Sequence, residues 1–382
     1  MSISILTLSI CCGLIVLSLV SSMMNPLFIV PKNKNNDTED ESKSPLHPLA
    51  VIVLVNDNID ILERNIPLFL EQEYEPGYQI IIVANEGDTL ADDLMKRYQD
   101  HKSLKSTFIP KTSRYISREK LGVTLGVKAA RHEWCILVDA LCYPKSRYWL
   151  SEMSKQCTDS HNLVVGYCNY ADGTKAYRLF TRMRHFAYIW RDAIKGVPYA
   201  SNNSNLAFRK SDFINNEGYR GNLECIRGEY DFIVNKFALK NKTGVVTSKE
   251  GSLIESVPTD KQWHRRQIFY IHSRKFMKHG TWHQVLSTTD TVLLHLTWIA
   301  SMAAIVIAAF LQNWILLISA ILAILINVCW RTLTGRKVAA LLHTDVPTWQ
   351  IIPLELSSIW HALADKIHYH RANPYDFTCH KL

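Results

Sequence analysis

Residues 50–55 read AVIVLV, residues 79–84 read QIIIVA and residues 133–139 read EWCILVD. Each run is apolar through its centre, which is typical of a strand buried on both faces of a parallel sheet. The alternation of these runs with helical spacing predicts an α/β fold with an open, doubly wound, mostly parallel sheet. Such sheets bind ligands at the carboxyl ends of their strands. The intervening helices are expected at 59–70, 90–98 and 118–131, with a short strand at 106–109.

The composition of the 382-residue chain excludes several classes of protein. Apolar residues make up 47% and charged residues 20%, which excludes a mainly disordered or collagen-like chain. The 43 basic and 35 acidic residues give a formal net charge of +8. The nine cysteines include no CxxC pair, so neither a disulfide scaffold nor a zinc site of the usual spacing is expected. We expect reduced thiols.

An uncharged, almost wholly apolar stretch runs from Ile3 to Met24 and is long enough to cross a hydrocarbon core of about 30 Å. No basic residue precedes it, whereas Lys32 and Lys34 follow it. Because a cleaved signal peptide has a basic residue before its apolar core, a retained anchor is the favoured interpretation and a signal peptide is the alternative. The positive-inside tendency places the segment after the anchor in the cytoplasm.

Two further apolar runs, Val292 to Leu311 and Trp314 to Trp330, are separated only by Gln312 and Asn313. Basic residues flank the pair on both sides and none lies in the turn, which predicts a transmembrane hairpin with its tip outside the cell. We therefore expect a multi-pass protein of the inner cell membrane with a cytoplasmic soluble domain. The expected parts are an anchor at 1–24, a flexible linker at 25–47, the soluble domain at 48–259, an amphipathic interfacial helix region at 260–290, the transmembrane hairpin at 291–330 and a cytoplasmic tail at 331–382.

Two common nucleotide-binding loops are missing from the sequence. No GxGxxG follows the first strand and no GxxxxGK[ST] occurs anywhere, which argues against a dinucleotide enzyme and a P-loop NTPase. Acidic residues instead follow the predicted strands, at Asp57, at Glu86 with Asp88, and at Asp139. These positions predict a cluster of carboxylates at one edge of the sheet.

Six segments, taken in order, resemble the family 2 glycosyltransferases, which belong to the membrane-bound cellulose and hyaluronan synthase-like superfamily and have a GT-A fold. The resemblance extends from about residue 49 to residue 267, and the order and spacing of the segments carry it. They are VIVLVNDN at 51–58, NIPLFLEQEYEPGYQIIIVANEGDT at 65–89, REKLGVTLGVKAARHEWCILVDALCYP at 118–144, NLAFRKSDF at 205–213, GEYDFIVNK at 228–236 and KQWHRR at 261–266.

The resemblance implies an inverting, hexosyltransferase-type enzyme whose Rossmann-like GT-A domain occupies 48–259, between the N-terminal transmembrane helix and the C-terminal hairpin. It implies a nucleotide-sugar donor, with a UDP-sugar expected, and a glycan or lipid-linked acceptor in cell-surface polysaccharide synthesis. It implies Mg²⁺ or Mn²⁺ at Asp139. The implied site residues are Glu229 and Asp231 for catalysis, Asn56, Asp57, Glu86, Asp88, Lys120 and Asp139 for the donor, and Asn205, Trp263 and Arg266 for the acceptor.

Two residues depart from the family's pattern. The metal motif reads Asp139-Ala140-Leu141, and leucine offers no oxygen where the family usually has a second aspartate. The base position carries Glu229 instead of the usual aspartate, and a carboxylate displaced by about 1 Å can lower a rate ~10²-fold. The alternative hypothesis is therefore a catalytically degenerate scaffold or partner subunit of a polysaccharide assembly.

Two stretches interleave basic and aromatic residues, at 178–191 and at 262–278. Such a pattern can bind single-stranded nucleic acid. In a chain with three apolar spans, helices lying on an anionic membrane surface are the favoured interpretation, so membrane lipids and no nucleic acid are expected as partners. Partner proteins of a polysaccharide assembly are a further expectation.

Overall fold

The computed structural model describes residues 5–28, 46–55, 59–112, 117–201, 204–278, 280–374 and Phe377, apart from the side chain of Lys195. The chain divides into two compact units. One comprises Met1–Pro31, Ala176–Tyr188 and His279–Leu363, and the other comprises Lys32–Lys175, Ile189–Lys278 and Ala364–Leu382. We call the first the helical unit and the second the sheet unit.

A seven-stranded sheet forms the centre of the sheet unit. Its strands are β1 (Leu49–Leu54), β2 (Tyr78–Asn85), β3 (Leu104–Ile109), β4 (Trp134–Asp139), β6 (Leu163–Gly166), β8 (Leu206–Arg209) and β9 (Thr243–Val246). They lie in the order β3-β2-β1-β4-β8-β6-β9. The first four strands in this order are parallel, whereas β8 runs antiparallel to both β4 and β6. The predicted mixed α/β fold with a mostly parallel sheet is confirmed.

The register aligns the carboxyl ends of β1 and β2 with the carboxyl end of β4. Leu54 at the end of β1 pairs with Val83 on one side and with Asp139 on the other. Buried apolar side chains fill all of β1, as expected for a strand covered on both faces. The carboxyl ends of β1, β2 and β4 therefore lie along a single edge of the sheet.

Helices cover this sheet at close range. Gly122 and Gly126 lie in α4 (Arg118–Ala129), and a Cβ atom on Gly126 would stand only 2.5 Å from Cγ2 of Ile52. A larger residue there would push the helix off the strand. The other helices of 59–237 are α2 (Ile59–Leu70), α3 (Thr89–Arg97), α5 (Trp149–Ser154), α6 (Ala176–Lys195), α7 (Lys210–Asn215) and α8 (Glu229–Phe237).

A second, three-stranded sheet adjoins the end of β4 in sequence and has the order β5-β10-β7. Its strands are β5 (Cys142–Pro144), β7 (Cys168–Tyr170) and β10 (Leu253–Glu255). The helix α9 (Asp260–Ser273) follows, and Thr259 and Gln262 form a reciprocal capping box at its start. The predicted interfacial region at 260–290 thus begins with this helix.

The helical unit contains three helices that are long and apolar enough to cross a membrane: α1 (Ile5–Met24), α10 (Gly280–Phe310) and α11 (Trp314–Leu341). Both helices of the hairpin extend beyond the predicted limits of 291–330. The prediction followed apolar runs, and the outer ends of these helices contain polar residues. A further helix, α12 (Ile351–Arg371), lies within the predicted tail and is divided between the two units.

A buried ionic network connects the helices of the helical unit. Arg331 is 1% exposed and pairs with Asp290 and Glu355 at 2.8 Å each. Asp290 also accepts from Arg184 at 2.6 Å, and Glu355 accepts from Asn25 at 2.7 Å. The two arginines and two carboxylates balance in charge, which is the condition under which buried ions are tolerated.

Candidate active site

Asp139 ends β4 in a turn fixed by hydrogen bonds. Its Oδ1 accepts from the Leu141 N–H at 2.9 Å, and its own N–H donates to Ser204 Oγ at 3.2 Å. Asn65 from α2 donates to the Ala140 carbonyl at 3.1 Å. Burial raises the pKa of Asp139, although the positive charges of Arg266 and Arg227 oppose the shift.

Glu229 is the first residue of α8, and its carboxylate is 3% exposed. Oε1 lies 3.2 Å from Nη2 of Arg227, and Oε2 accepts from the Gly228 N–H at 3.0 Å. Gly228 has φ of 100°, a left-handed conformation that favours glycine. The same Arg227 guanidinium donates to Glu119 on α4 at 2.7 Å. Burial would lower the pKa of Arg227, but Glu229, Glu119 and Asp139 raise it above its usual value.

Tyr230 experiences the charges of both candidate carboxylates. Its pKa is raised first by burial and then by the negative charges of Asp139 and Glu229. Its hydroxyl accepts from Ser204 Oγ at 3.3 Å, and Ser204 also accepts from the Asp139 N–H. The end of β4 and the start of α8 therefore meet at Tyr230, and Arg227 also interacts with both ends.

Asp231 lies two residues after Glu229, in the first turn of the same helix, and is 4% exposed. Burial and then the negative charge of Glu229 raise its pKa from 3.8 to about 7. Its Oδ1 has no hydrogen-bond partner among the described residues. A carboxyl group in this setting retains its proton to near-neutral pH. Asp231 thus differs from Glu229, whose carboxylate pairs with Arg227.

Arg266 and Trp263 lie three residues apart on α9 and pack towards the small sheet. Arg266 Nη1 forms an ion pair with Oε1 of Glu255, the last residue of β10. Trp263 is 6% exposed and stacks edge-on against Tyr170 with ring centroids 6.4 Å apart. The positive charge of Arg266, in the middle of α9, opposes the rise in the pKa of Asp139.

Lys120 is fully buried on α4. Its ammonium donates to the Asn222 carbonyl, the Asn222 side chain and the Cys225 carbonyl, each at 2.7 Å. Burial lowers its pKa from 10.5 to about 8, although Cys225, Glu229 and Glu119 oppose the shift. All three N–H groups are used to hold the segment that leads to Arg227. A direct contact with the donor stays a prediction.

Asn205 precedes β8 in a left-handed conformation with φ of 77° and is fully buried. Its amide donates to the carbonyls of Tyr167 and Gly251 and accepts from the indole N–H of Trp149 at 3.0 Å. These bonds tie β8 to its surroundings and stabilise an uncommon backbone geometry. The acceptor role assigned to Asn205 stays a prediction.

The remaining donor-side residues follow β1 and β2. Glu86 accepts from the Lys111 N–H at 3.0 Å, and Asp88 caps α3 by accepting from the N–H groups of Leu90 and Ala91. Asn56 and Asp57 lie outside the described residues. Glu86 and Asp88 thus share the sheet edge with Asp139, but among the described residues their hydrogen bonds are to Lys111, Leu90 and Ala91 and not to the Asp139–Glu229 group.

The structure adds four residues that the motif comparison did not assign: Arg227, Glu119, Tyr230 and Glu255. Arg227 and Tyr230 lie within two residues of Glu229 in sequence, so proximity to the acidic motif could have identified them. Glu255 ends a short apolar strand with a carboxylate, the same pattern that identified Asp139. No sequence pattern pointed to Glu119, because its partner Arg227 lies just before α8, more than 100 residues further along the chain.

The residues present fit the expected Mg²⁺ or Mn²⁺ poorly. Asp139 supplies one carboxylate, and Leu141 supplies no ligand atom. In the part of the chain that the structure describes, no group of three ligating side chains includes Asp139. The positive charges of Arg266 and Arg227 act on Asp139 instead.

Comparison with known proteins identifies the fold. The structure is similar to the mannosyltransferase PcManGT from Pyrobaculum calidifontis in complex with GDP-Man and Mn²⁺, with a TM-score of 0.54 and 15% identity, covering 94% of this chain and 99% of that one. S. aureus TarS 1–349 in complex with UDP gives a TM-score of 0.42 and 13% identity, covering 82% and 92%. No protein-family model and no curated protein matches the sequence. The first likeness shows a glycosyltransferase fold.

Proposed function

We propose that this chain is a membrane-bound glycosyltransferase that moves a sugar from a nucleotide-sugar donor to a glycan or lipid-linked acceptor. The observation that carries the proposal is the meeting of Asp139 and Glu229 around Arg227 and Tyr230. The nearness of a sheet-edge carboxylate and a helix-start carboxylate in a glycosyltransferase fold supports this proposal. The family 2 assignment, inversion at the anomeric carbon and a UDP-sugar donor belong to the same proposal.

In this mechanism Glu229 removes the proton from the acceptor hydroxyl. The hydroxyl oxygen forms a bond to the anomeric carbon while the bond between that carbon and the diphosphate oxygen breaks. The electron pair leaves with the diphosphate, whose developing charge faces the guanidinium groups of Arg227 and Arg266 near Asp139. Asp231 lies behind Glu229, and because its pKa is about 7 it limits the negative charge gathered at the helix start.

The proposed location is the inner cell membrane, with the sheet unit in the cytoplasm. Three helices long and apolar enough to span a membrane support a membrane protein, and basic residues flank the α10–α11 pair in sequence. A lipid-linked acceptor would then be presented at the membrane surface. The domain limits proposed from the sequence are kept, with 48–259 as the catalytic domain.

The test is donor consumption by the purified full-length protein in detergent. A panel of UDP- and GDP-sugars is supplied, and release of the nucleoside diphosphate is measured. Glu229→Gln should lower the rate by about 10²-fold or more, because a general base contributes on that scale. Glu250→Gln is the matched control, since Glu250 is exposed. Equal rates for the native protein and Glu229→Gln would refute the role of Glu229 as the base.

A scaffold function is the second candidate, and the absence of an oxygen ligand at Leu141 favours it. A scaffold would consume no donor in the panel while still assembling with partner proteins of a polysaccharide pathway. Co-purification of such partners with native protein and with Glu229→Gln, in the absence of any donor turnover, would favour the scaffold over the enzyme.

A further inference from the structure

Two cysteines and a glutamate converge on one face of the small sheet behind the Asp139 turn. Cys142 in β5 pairs directly with Glu255 in β10, and Cys168 in β7 pairs with Leu253, two residues earlier on β10. Paired residues, and residues two apart on a strand, point to the same face of a sheet. The register therefore places the three side chains together, although 25 and 86 intervening residues separate them along the chain.

We propose that Cys142, Cys168 and Glu255 form a binding site for one divalent cation of the zinc class. Each residue offers one ligand atom, and the three atoms lie within 4.8 Å of one another. This site goes beyond the proposed sugar transfer and does not depend on it. It is separate from the Mg²⁺ or Mn²⁺ site that the resemblance implied at Asp139.

The separation of the two sulfur atoms fits a shared ion. Cys142 Sγ and Cys168 Sγ are 3.7 Å apart. Two thiolates on a tetrahedral zinc ion, with Zn–S bonds of about 2.3 Å, stand about 3.8 Å apart. A protonated pair with a weak S–H···S contact is the metal-free alternative at this distance. The ligands lie on three neighbouring strands, so binding requires little rearrangement of the backbone.

Burial and charge also suit a metal ion. Both cysteines are 0% exposed and Glu255 is 5% exposed, so an ion would be shielded from competing water. Two thiolates and a carboxylate carry three negative charges, which one divalent cation and the paired Arg266 would neutralise. A carboxylate has two oxygens, so Glu255 can pair with Arg266 through one and ligate a cation through the other.

The donor set selects the kind of ion. Thiolate ligands favour zinc, cobalt and cadmium over magnesium, which prefers oxygen. Because burial is the largest of the causes that raise the pKa of Cys142, binding must release thiol protons and should strengthen as the pH rises. Bound metal would connect β5 to β7 across β10 and so fix Leu141, which directly precedes Cys142 in the Asp139 turn.

The experiment uses full-length protein stripped with a chelator and titrated with Co²⁺. The native protein should bind one equivalent and develop a thiolate-to-cobalt charge-transfer band in the near ultraviolet, which Zn²⁺ abolishes. Cys142→Ser and Cys168→Ser should each weaken binding at least tenfold, and Glu255→Gln should weaken it while keeping the band. Cys157→Ser is the matched control, because Cys157 is equally buried but its Sγ donates to the Met153 carbonyl.

A second measurement needs no variant and so does not depend on whether the serine variants fold. X-ray absorption of the zinc-loaded native protein should show two sulfur ligands at about 2.3 Å. A shell of nitrogen and oxygen only would place the ion elsewhere, for example at the partly exposed cluster of His264, Asp365 and His368, and would overturn the proposal. Absence of the charge-transfer band in the native protein would also overturn it.

Discussion

The guanidinium of Arg227 lies 3.2 Å from the carboxylate of Glu229, two residues further along the chain. The left-handed Gly228 between them turns the chain so that Glu229 starts α8 while Arg227 reaches back to Glu119 on α4. One side chain therefore holds the start of α8 against α4 and also places a cation beside the proposed base. Its removal should affect both stability and turnover.

Arg227→Gln should destabilise the sheet unit and slow donor turnover. Removing one partner of a buried ion pair typically costs about 3–5 kcal/mol, and because Arg227 is 28% exposed we expect the lower end of that range. The melting temperature in detergent and the rate of donor hydrolysis are the measurements. Arg220→Gln, which removes an exposed pair with Glu217, is the control and should change neither. An unchanged melting temperature in Arg227→Gln would contradict this account.

Asp231 should make stability depend on pH in the direction opposite to that of a salt-bridged acid. Its pKa is raised from 3.8 to about 7, so the folded protein binds a proton more tightly than the unfolded chain does. Its stabilising contribution is therefore complete below about pH 4 and is lost as the pH rises through about 7. Relative to the native protein, Asp231→Asn should gain stability between pH 5 and pH 8.

The measurement is the difference in melting temperature between Asp231→Asn and the native protein across that pH range. Asp100→Asn, which removes an exposed carboxyl group, is the control measured over the same pH range. If the difference for Asp231→Asn does not change with pH, Asp231 does not titrate as described.

Leu141→Asp should make donor turnover depend more strongly on a divalent metal. The substitution supplies a second carboxylate two residues after Asp139, where the native chain offers no oxygen. Turnover of Leu141→Asp should fall at least tenfold more on EDTA treatment than turnover of the native protein, and Mn²⁺ should restore it. Leu141→Asn, similar in size but uncharged, is the control. The same response to EDTA in all three proteins would exclude Asp139 from a metal-binding role.

Arg331→Met should destabilise the helical unit more than any surface arginine does. Asp290 and Glu355 would each lose a guanidinium partner, and both side chains are buried, with 1% of Asp290 and 3% of Glu355 exposed. Removing one partner of a buried ion pair costs about 3–5 kcal/mol. Thermal unfolding in detergent measures the effect, with Arg336→Met, an exposed position on the same helix, as the control. Similar melting temperatures for the two variants would show that the network adds little stability.

The strands β1, β2 and β4 were predictable because each of them is buried on both faces. The helix expected at 59–70 is α2 (Ile59–Leu70), and the strand expected at 79–84 lies within β2 (Tyr78–Asn85). A continuous apolar run predicts a buried strand whichever strand lies beside it, so the sequence alone is enough to locate such strands. The three apolar spans were predictable for the same reason.

The small sheet and the ion pairs of the site were not predictable in this way. The strands β5, β7 and β10 of the small sheet have three residues each, which is too short for a periodic pattern. In addition, more than 80 residues of sequence separate β7 from its partner β10. The pairing of Arg227 with Glu119 depends on the packing of two helices. Sequence motifs therefore located Asp139 and Glu229, whereas the network that joins them required the fold.

The decisive measurement is a structure of Glu229→Gln bound to an intact nucleotide-sugar donor. We expect the donor's diphosphate beside Asp139, within reach of Arg227 or Arg266, and the anomeric carbon facing the residue at position 229. A donor bound away from the carboxyl ends of β1, β2 and β4, or a diphosphate remote from both arginines, would contradict it.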